Sequence, residues 1–337
     1  MSNSRLSEMQ AKTRLRRLPR SHDSQGFSLI ELMVSLTIGL VIVVAAISAY
    51  LGAAGAGKMS DAQSRMNEDA QAALNILVQQ LRMAGNNPVQ GNRAEEFRRN
   101  PVYNPYGTTT HTTTPANFSS TFSIRGCDGT FSNINSTGVT LDTLTACGTS
   151  TLPDSIAVNY EADGFNTIDS GGLPTDCLGN TLSTIDATFP TGTATTATYA
   201  VADNRFYIVT TTSAGPTLYC QGNGGSSTAQ PLVENIEDMQ FTYGTMSTTT
   251  TSTIATVAGY LRANEVVSLA TVPADDSTRW GKVLSVRICI LVRSASPVVS
   301  DAASAKYLNC QGTLTTAPDL RLRRAYSTTV VLRNRRF

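Results

Sequence analysis

Gly26-Phe27-Ser28-Leu29-Ile30-Glu31-Leu32-Met33-Val34 opens the long apolar run of this chain. From Leu32 to Gly57 no residue is charged, and the stretch to Ala54 is dense in Leu, Ile, Val and Ala. About twenty such residues, rising about 1.5 Å each, cross the hydrocarbon of a bilayer as a helix, which places a crossing at about residues 30–54. Glu31 stands at the head of the run, where an ionisable group is costly and marks a functional position. Ahead of it come six basic residues (Arg5, Lys12, Arg14, Arg16, Arg17, Arg20) and two acidic ones (Glu8, Asp23). That excess holds the N-terminus on the cytoplasmic side and sends the rest of the chain outward.

Simpler explanations fit less of this pattern. A secretory signal has an apolar core of about 7–15 residues and then a small-residue cleavage site. Ala54-Gly55-Ala56 would serve as that site, but the run is too long and a carboxylate at its head is out of place. A plain membrane anchor leaves Glu31 unexplained. The basic cluster, standing before a membrane helix, reads as a topology signal rather than a nucleic-acid patch.

The helix is expected to continue past the membrane. No proline occurs between Phe27 and Asn87. Met59, Ala62, Met66, Ala70, Ala73, Leu77, Leu81 and Ala84 recur at three- and four-residue steps, while Asp61, Arg65, Glu68, Asp69 and Arg82 occupy other faces. Gly85-Asn86-Asn87-Pro88 is a strong stop. A helix from Phe27 to about Ala84 would measure roughly 85–90 Å. Gly52, Gly55 and Gly57 cost it about 1 kcal/mol each relative to alanine, and mark either a bend or local melting, or close packing through small residues.

From Pro88 the composition turns to Thr, Ser, Gly, Asn and Pro. Residues 104–117, 191–198 and 245–256 are threonine-rich and read as surface loops or edge strands. Strands are expected at Ser120–Arg125, Ile156–Tyr160, Arg205–Thr210, Met239–Tyr243, Lys282–Arg293 and Tyr326–Arg333. In the fifth, Leu284, Val286, Ile288, Ile290 and Val292 form an apolar face of period two. One long helix followed by antiparallel strands argues an α+β fold, with residues 86–337 as a β-rich globular domain carrying long loops.

Six cysteines (Cys127, Cys147, Cys177, Cys220, Cys289 and Cys310) all follow the membrane helix. An even number on the exported, oxidising side implies disulfides. Of fifteen pairings, sequence order suggests Cys127–Cys147, Cys177–Cys220 and Cys289–Cys310, each stabilising by roughly 2–4 kcal/mol. No C-x-x-C spacing with a nearby histidine supports zinc. His111 is the one histidine beyond residue 26, and its threonine-rich setting reads as a solvated loop. Asp163–Asp169 and Asp275-Asp276 lack the alternating acids and bidentate glutamate of a calcium loop. Gly222-Asn223-Gly224-Gly225 has no following lysine and is no phosphate loop. No catalytic site, cofactor or metal is read from the chain.

Gly26-Phe27-Ser28-Leu29-Ile30-Glu31 with its apolar helix resembles the type III signal of type IV prepilins and type II secretion pseudopilins. The resemblance implies removal of residues 1–26 by prepilin peptidase after Gly26, N-methylation of Phe27, and a part for Glu31 in subunit assembly. The leader is longer than many, so translation from Met9 is an alternative. Within that group the chain is similar to the PilW family of minor pilins. The resemblance rests on Leu232-Val233-Glu234-Asn235-Ile236-Glu237-Asp238-Met239-Gln240-Phe241-Thr242-Tyr243-Gly244. It extends to Trp280-Gly281-Lys282-Val283 leading into Val286-Arg287-Ile288, and to the ending from Arg323-Arg324-Ala325-Tyr326 through Leu332-Arg333-Asn334-Arg335. Residues 90–200 match nothing named.

That family implies a pilin-like protein of the inner membrane with a periplasmic domain, carried to the pilus tip at the cell surface. Its implied task is to prime pilus assembly in a tip complex. The implied partners are other minor pilins, the major pilin, prepilin peptidase, the inner-membrane assembly platform and a tip adhesin. Alternatives are a J-type pseudopilin of type II secretion, or a tip-displayed adhesin or DNA-uptake pilin. The leader carries +4 of the chain's +1, which leaves −3 and argues against nucleic acid.

Overall fold

The computed structural model describes residues 26–86 and 123–334, apart from 138, 140, 145–146, 149–152, 169, 189–195, 211–212, 214, 226–227, 247–255 and 272–275. The basic leader with His22, the stretch 104–117 with His111, Asp169, Asp275 and most of the other threonine-rich stretches lie outside the described residues. Among the described residues three α-helices are present: α1 Leu29–Met83, α2 Ala263–Val266 and α3 Asp276–Gly281. Twelve strands follow α1: β1 Ile124–Cys127, β2 Ser155–Ala162, β3 Thr184–Thr188, β4 Thr196–Val209, β5 Thr217–Gln221 and β6 Gln230–Glu234. The remainder are β7 Ile236–Met246, β8 Val257–Leu261, β9 Val283–Pro297, β10 Lys306–Leu308, β11 Leu314–Thr316 and β12 Arg321–Val331.

The chain divides into two units, residues 1–54 and 55–337. In the first, every described side chain from Gly26 to Ala53 is exposed. Its hydroxyls are satisfied locally: Ser35 donates to Leu32 O, Thr37 to Val34 O and Ser48 to Val44 O, at 3.0, 2.8 and 2.9 Å. Returning a hydroxyl to the helix's own carbonyls lets Ser and Thr sit in an apolar medium without an orphaned donor. Gly52, Gly55 and Gly57 lie within the helix, and a Cβ built at any of them meets nothing within 4 Å.

In the second unit the helix buries the stripe Met66, Ala70, Ala73, Leu77, Leu81 and Ala84, all at 2% exposure or less. Small residues alternate with Met and Leu along it, so backbone and sheet can approach closely. The helix ends at Met83, and Gly85 follows in the left-handed region (φ 72°) that glycine enters without penalty. Gly85 N then donates to Asn159 O and Glu161 N to Asn86 O, at 2.9 and 2.8 Å. The helix end is thereby stitched to β2.

Both sheets are antiparallel. The first runs β1-β2-β4-β5-β6, with β3 also paired to β4, and the second runs β12-β9-β7-β8. In β9, Val286, Ile288, Ile290 and Val292 are fully buried, as a period-two strand with one face on a core requires. The helix stripe and the inner faces of both sheets form one hydrophobic cluster. Boundaries differ from the sequence expectation where pairing, not composition, sets them. Thr196–Val209 is one long strand because its threonine-rich start pairs with β3 and its end with β5. The last strand begins at Arg321 and ends at Val331, set by its partners on β9.

Disulfides join Cys127 to Cys147, Cys177 to Cys220 and Cys289 to Cys310. Each ties a loop to a strand of the sheets (β1, β5 and β9). The two sheets are locked together by Asp154. Its Oδ1 accepts from Gly129 N (3.2 Å) and its Oδ2 from Phe241 N in β7 (2.8 Å), while its own N–H donates to Met239 O (2.7 Å). Beside it Tyr243 stacks edge-on against buried Trp280, with centroids 4.8 Å apart. Tyr243 lies so close to β1 that a Cβ on Gly126 would overlap its hydroxyl.

Burial pushes the Asp154 carboxyl up to about 7; its two backbone hydrogen bonds work the other way, and Asp128 and Asp238 add to the rise. A carboxyl whose folded pKa exceeds its unfolded value stabilises the fold fully below about pH 4, and that contribution is lost as pH rises through about 7. The melting temperature of the detergent-solubilised chain should therefore fall between those limits, and Asp154→Asn should flatten the profile. An unchanged profile in the variant would refute the assignment.

Candidate assembly site

The head of α1 carries the residues that the sequence singled out for assembly, and the sheet that receives the far half of α1 carries the family-like stretches. Gly26, Phe27 and Ser28 precede the helix and are exposed, Phe27 at 82%. Leu32 N donates to Ser28 O at 3.1 Å, which begins the helical ladder one residue after Phe27. Glu31 lies in the first turn, where the unpaired N–H groups of the helix favour a negative charge. No basic residue lies between Phe27 and Lys58, and among the described residues Glu31 has no ion-pair partner. The carboxylate is thus presented at the head of an apolar helix.

The second sheet lies in the second unit. The three stretches singled out in the sequence, around Glu234–Gly244, Trp280–Ile288 and Arg323–Arg335, supply β7, β9 and β12, which are neighbours in that sheet. Chain passage from the first sheet to the second occurs at Asn235, which separates β6 from β7 and adopts φ 63°. Asn tolerates that left-handed conformation better than a branched residue, because its short amide bonds locally. Asn235 O accepts from Arg293 N at 3.0 Å, and the Asn235 side chain hydrogen-bonds Asp69 of the helix. Burial holds the Asp69 carboxyl above its usual range, with Glu68 and Glu234 adding to the effect.

Further along the helix, the Tyr326 hydroxyl donates to Asn67 Oδ1 at 2.6 Å and Asn334 Nδ2 donates to Arg82 O at 2.8 Å. On the first sheet, Asn204 Nδ2 donates to Gln80 Oε1 at 2.8 Å. The helix is therefore pinned from Asn67 to Arg82 by the two sheets together. Arg323, with a side chain 1% exposed, is clamped by Glu237 at 2.5 and 2.9 Å and by Asp319 at 2.6 Å. Burial opposes its charge, but the two carboxylates hold it ionised beyond its ordinary range, and Arg323 in return holds Asp319 below the usual carboxylate range.

Other sequence candidates are accounted for by internal bonds. Asp163 Oδ1 accepts from Phe165 N and Asn166 N, and Asp276 pairs with Arg279 and Arg125. The glycine loop at 222–225 encloses Asp176, whose Oδ2 accepts from Gly224 N at 2.9 Å. A Cβ on Gly222 would overlap that carboxylate, so the glycine admits the chain's own anion. Among the described residues no group of three or more His, Cys, Asp or Glu is gathered as a metal site.

The prokaryotic N-terminal methylation motif matches residues 21–47, and the family described as Type IV Pilus-assembly protein W matches residues 205–334. In these two segments the chain is similar to the PilW family and to proteins that carry that methylation motif. No curated protein matches it. Among solved structures it aligns with the type IV-like pilin TTHA1219 from Thermus thermophilus at 14% identity, over 56% of this chain and 83% of that one. The TM-score is 0.26, too low to argue from. The first segment holds Gly26, Phe27 and Glu31, and the second holds β7, β8, β9 and β12. The apolar part of α1 is long enough to cross a membrane.

Asn235, Asp69, Glu237 and Arg323 escaped the reading of the sequence as individual residues. An Asn between two short apolar runs was the available signal for the first; nothing local announces the others. Removing one partner of a buried charge leaves the other uncompensated. Glu237→Leu should cost about 2–3 kcal/mol, and the double variant Arg323→Met, Glu237→Leu less than that single change. Chemical denaturation of the chain and both variants measures it, and a double variant as unstable as the single one would contradict the account.

Proposed function

We propose that this chain is a low-abundance subunit that primes type IV pilus assembly as part of a complex with other minor pilins at the filament tip. Prepilin peptidase would cleave after Gly26 and Phe27 would be methylated, leaving a mature chain that begins one residue before the helical ladder. Exposure of Gly26–Ser28 outside the helix supports access for the peptidase. The major pilin, the inner-membrane assembly platform and a tip adhesin are the further partners this reading implies.

The carrying observation is Glu31, which has no ion-pair partner among the described residues and stands at the head of an apolar helix. A carboxylate in a low-dielectric medium is unfavourable by several kcal/mol unless neutralised or paired. Cleavage creates a cation, the amine of Phe27, which keeps its charge when methylated. A neighbouring subunit shifted along the filament would bring its Phe27 amine to Glu31. The pairing would satisfy the charge and set the axial offset between subunits.

Glu31→Ala should be cleaved and inserted normally but recover other minor pilins poorly from detergent-solubilised membranes, whereas Gly26→Ala should stop at the unprocessed size. Full recovery of partners by cleaved Glu31→Ala would overturn the pairing. Deleting the gene should reduce surface pili while the major pilin stays in the membrane. Intact piliation with loss of a secreted enzyme would assign the chain to type II secretion instead.

A further inference from the structure

Arg293 lies in β9, where its N–H donates to Asn235 O at the crossing between the sheets. Its side chain is only 17% exposed, yet among the described residues its guanidinium has no hydrogen-bond acceptor. Nε is buried without a partner, and Nη1 meets a carboxylate only at 3.9 Å, at Asp319 Oδ2, which Arg321 Nε already holds at 3.3 Å. Glu237 is bound through both oxygens by Arg323. Three guanidiniums therefore share two carboxylates, and Arg293 carries the surplus charge. Burial first, then Arg321 and Arg323, push its pKa down against the pull of Glu237 and Asp319. Arginine does not shed its proton in a protein, so a nearly buried guanidinium stays costly until something accepts from it.

Arg293 also lines a cleft of about 740 Å³, walled by the end of β9, by Glu234 and Asn235, and by α1 from Lys58 to Asp69. That size suits a small molecule. The cleft has two unlike ends. At one, Arg293 shares the wall with Ser296 of the same strand. At the other, burial raises the pKa of Asp69, and Glu68 and Glu234 add to the rise, with Arg65 as the opposing cation. Arg65 is itself paired with Asp61 at 3.3 Å. Neither end cancels the other: the charges that act on Arg293 are Arg321, Arg323, Glu237 and Asp319, and those that act on Asp69 are Glu68, Glu234 and Arg65. A dianion would be repelled at the acidic end, and a simple cation would be repelled by Arg293.

We propose that this cleft binds a small zwitterion of the amino-acid or short-peptide kind, with its carboxylate on Arg293 and its ammonium on the side of Glu68, Asp69 and Glu234. The planar guanidinium fork matches a carboxylate, and the ligand supplies the acceptors that the fold withholds. The test is calorimetric titration of the full chain in a non-ionic detergent with the dipeptide glycyl-lysine. Saturable binding is expected with a Kd of about 1 mM or tighter. Glycyl-lysine amide, which lacks the carboxylate, and acetate, which lacks the ammonium, should each bind at least about tenfold more weakly. Arg293→Met should weaken glycyl-lysine at least about tenfold, while the melting temperature of the ligand-free variant holds or rises because an uncompensated charge has gone. No saturable binding, equal binding of the amide, or an affinity indifferent to Arg293→Met would overturn the inference. A lower melting temperature in that variant would also overturn it, by making Arg293 a structural residue.

Discussion

The buried stripe Met66, Ala70, Ala73, Leu77, Leu81 and Ala84 is the interaction on which the folded domain depends. It belongs to the same cluster as the inner faces of both sheets, so neither sheet has a complete core without it. Polar groups flanking the stripe then fix its register: Asn67 meets Tyr326, Asp69 meets Asn235, and Gln80 meets Asn204. Apolar contact is non-directional and would tolerate a helix sliding by a turn. Hydrogen bonds between half-buried partners would not, because a shift leaves their donors and acceptors unpaired.

One helix thus answers to two solvents. Residues through Ala53 are apolar and wholly exposed within the chain, suited to lipid or to other helices. Residues from Met66 onward bury a narrow stripe and leave Asp61, Arg65, Glu68 and Arg82 outside. Glu31 is the exception in the first half, a carboxylate without an ion-pair partner among the described residues.

The second sheet is held by electrostatics as much as by packing. Arg323 sits almost out of water between Glu237 and Asp319, bonded through both ends of its guanidinium. A bidentate pair of this kind fixes orientation, which ties the end of the chain to the start of β7. The disulfide-tied loops do the opposite work at the periphery. The bridges fasten loops rich in Thr, Ser and Gly to strands of the sheets.

The sequence by itself determined the apolar run, the place of Glu31, the helical stripe and its stop at Gly85, and the period-two face of β9. All of these are local: a pattern of 3.6 or 2 residues, or an uncharged stretch, is legible wherever it stands. Neighbouring cysteines in sequence were also enough to propose the three pairs found in the structure. Tertiary structure alone decided that β7, β9 and β12 are adjacent, that Asn235 hands one sheet to the next, and that Arg323 belongs to Glu237, 86 residues away. It alone showed Asp154 joining the sheets and Asp176 filling the glycine loop. Each of these rests on contact between distant residues, and distance along the chain carries no signature in a single sequence.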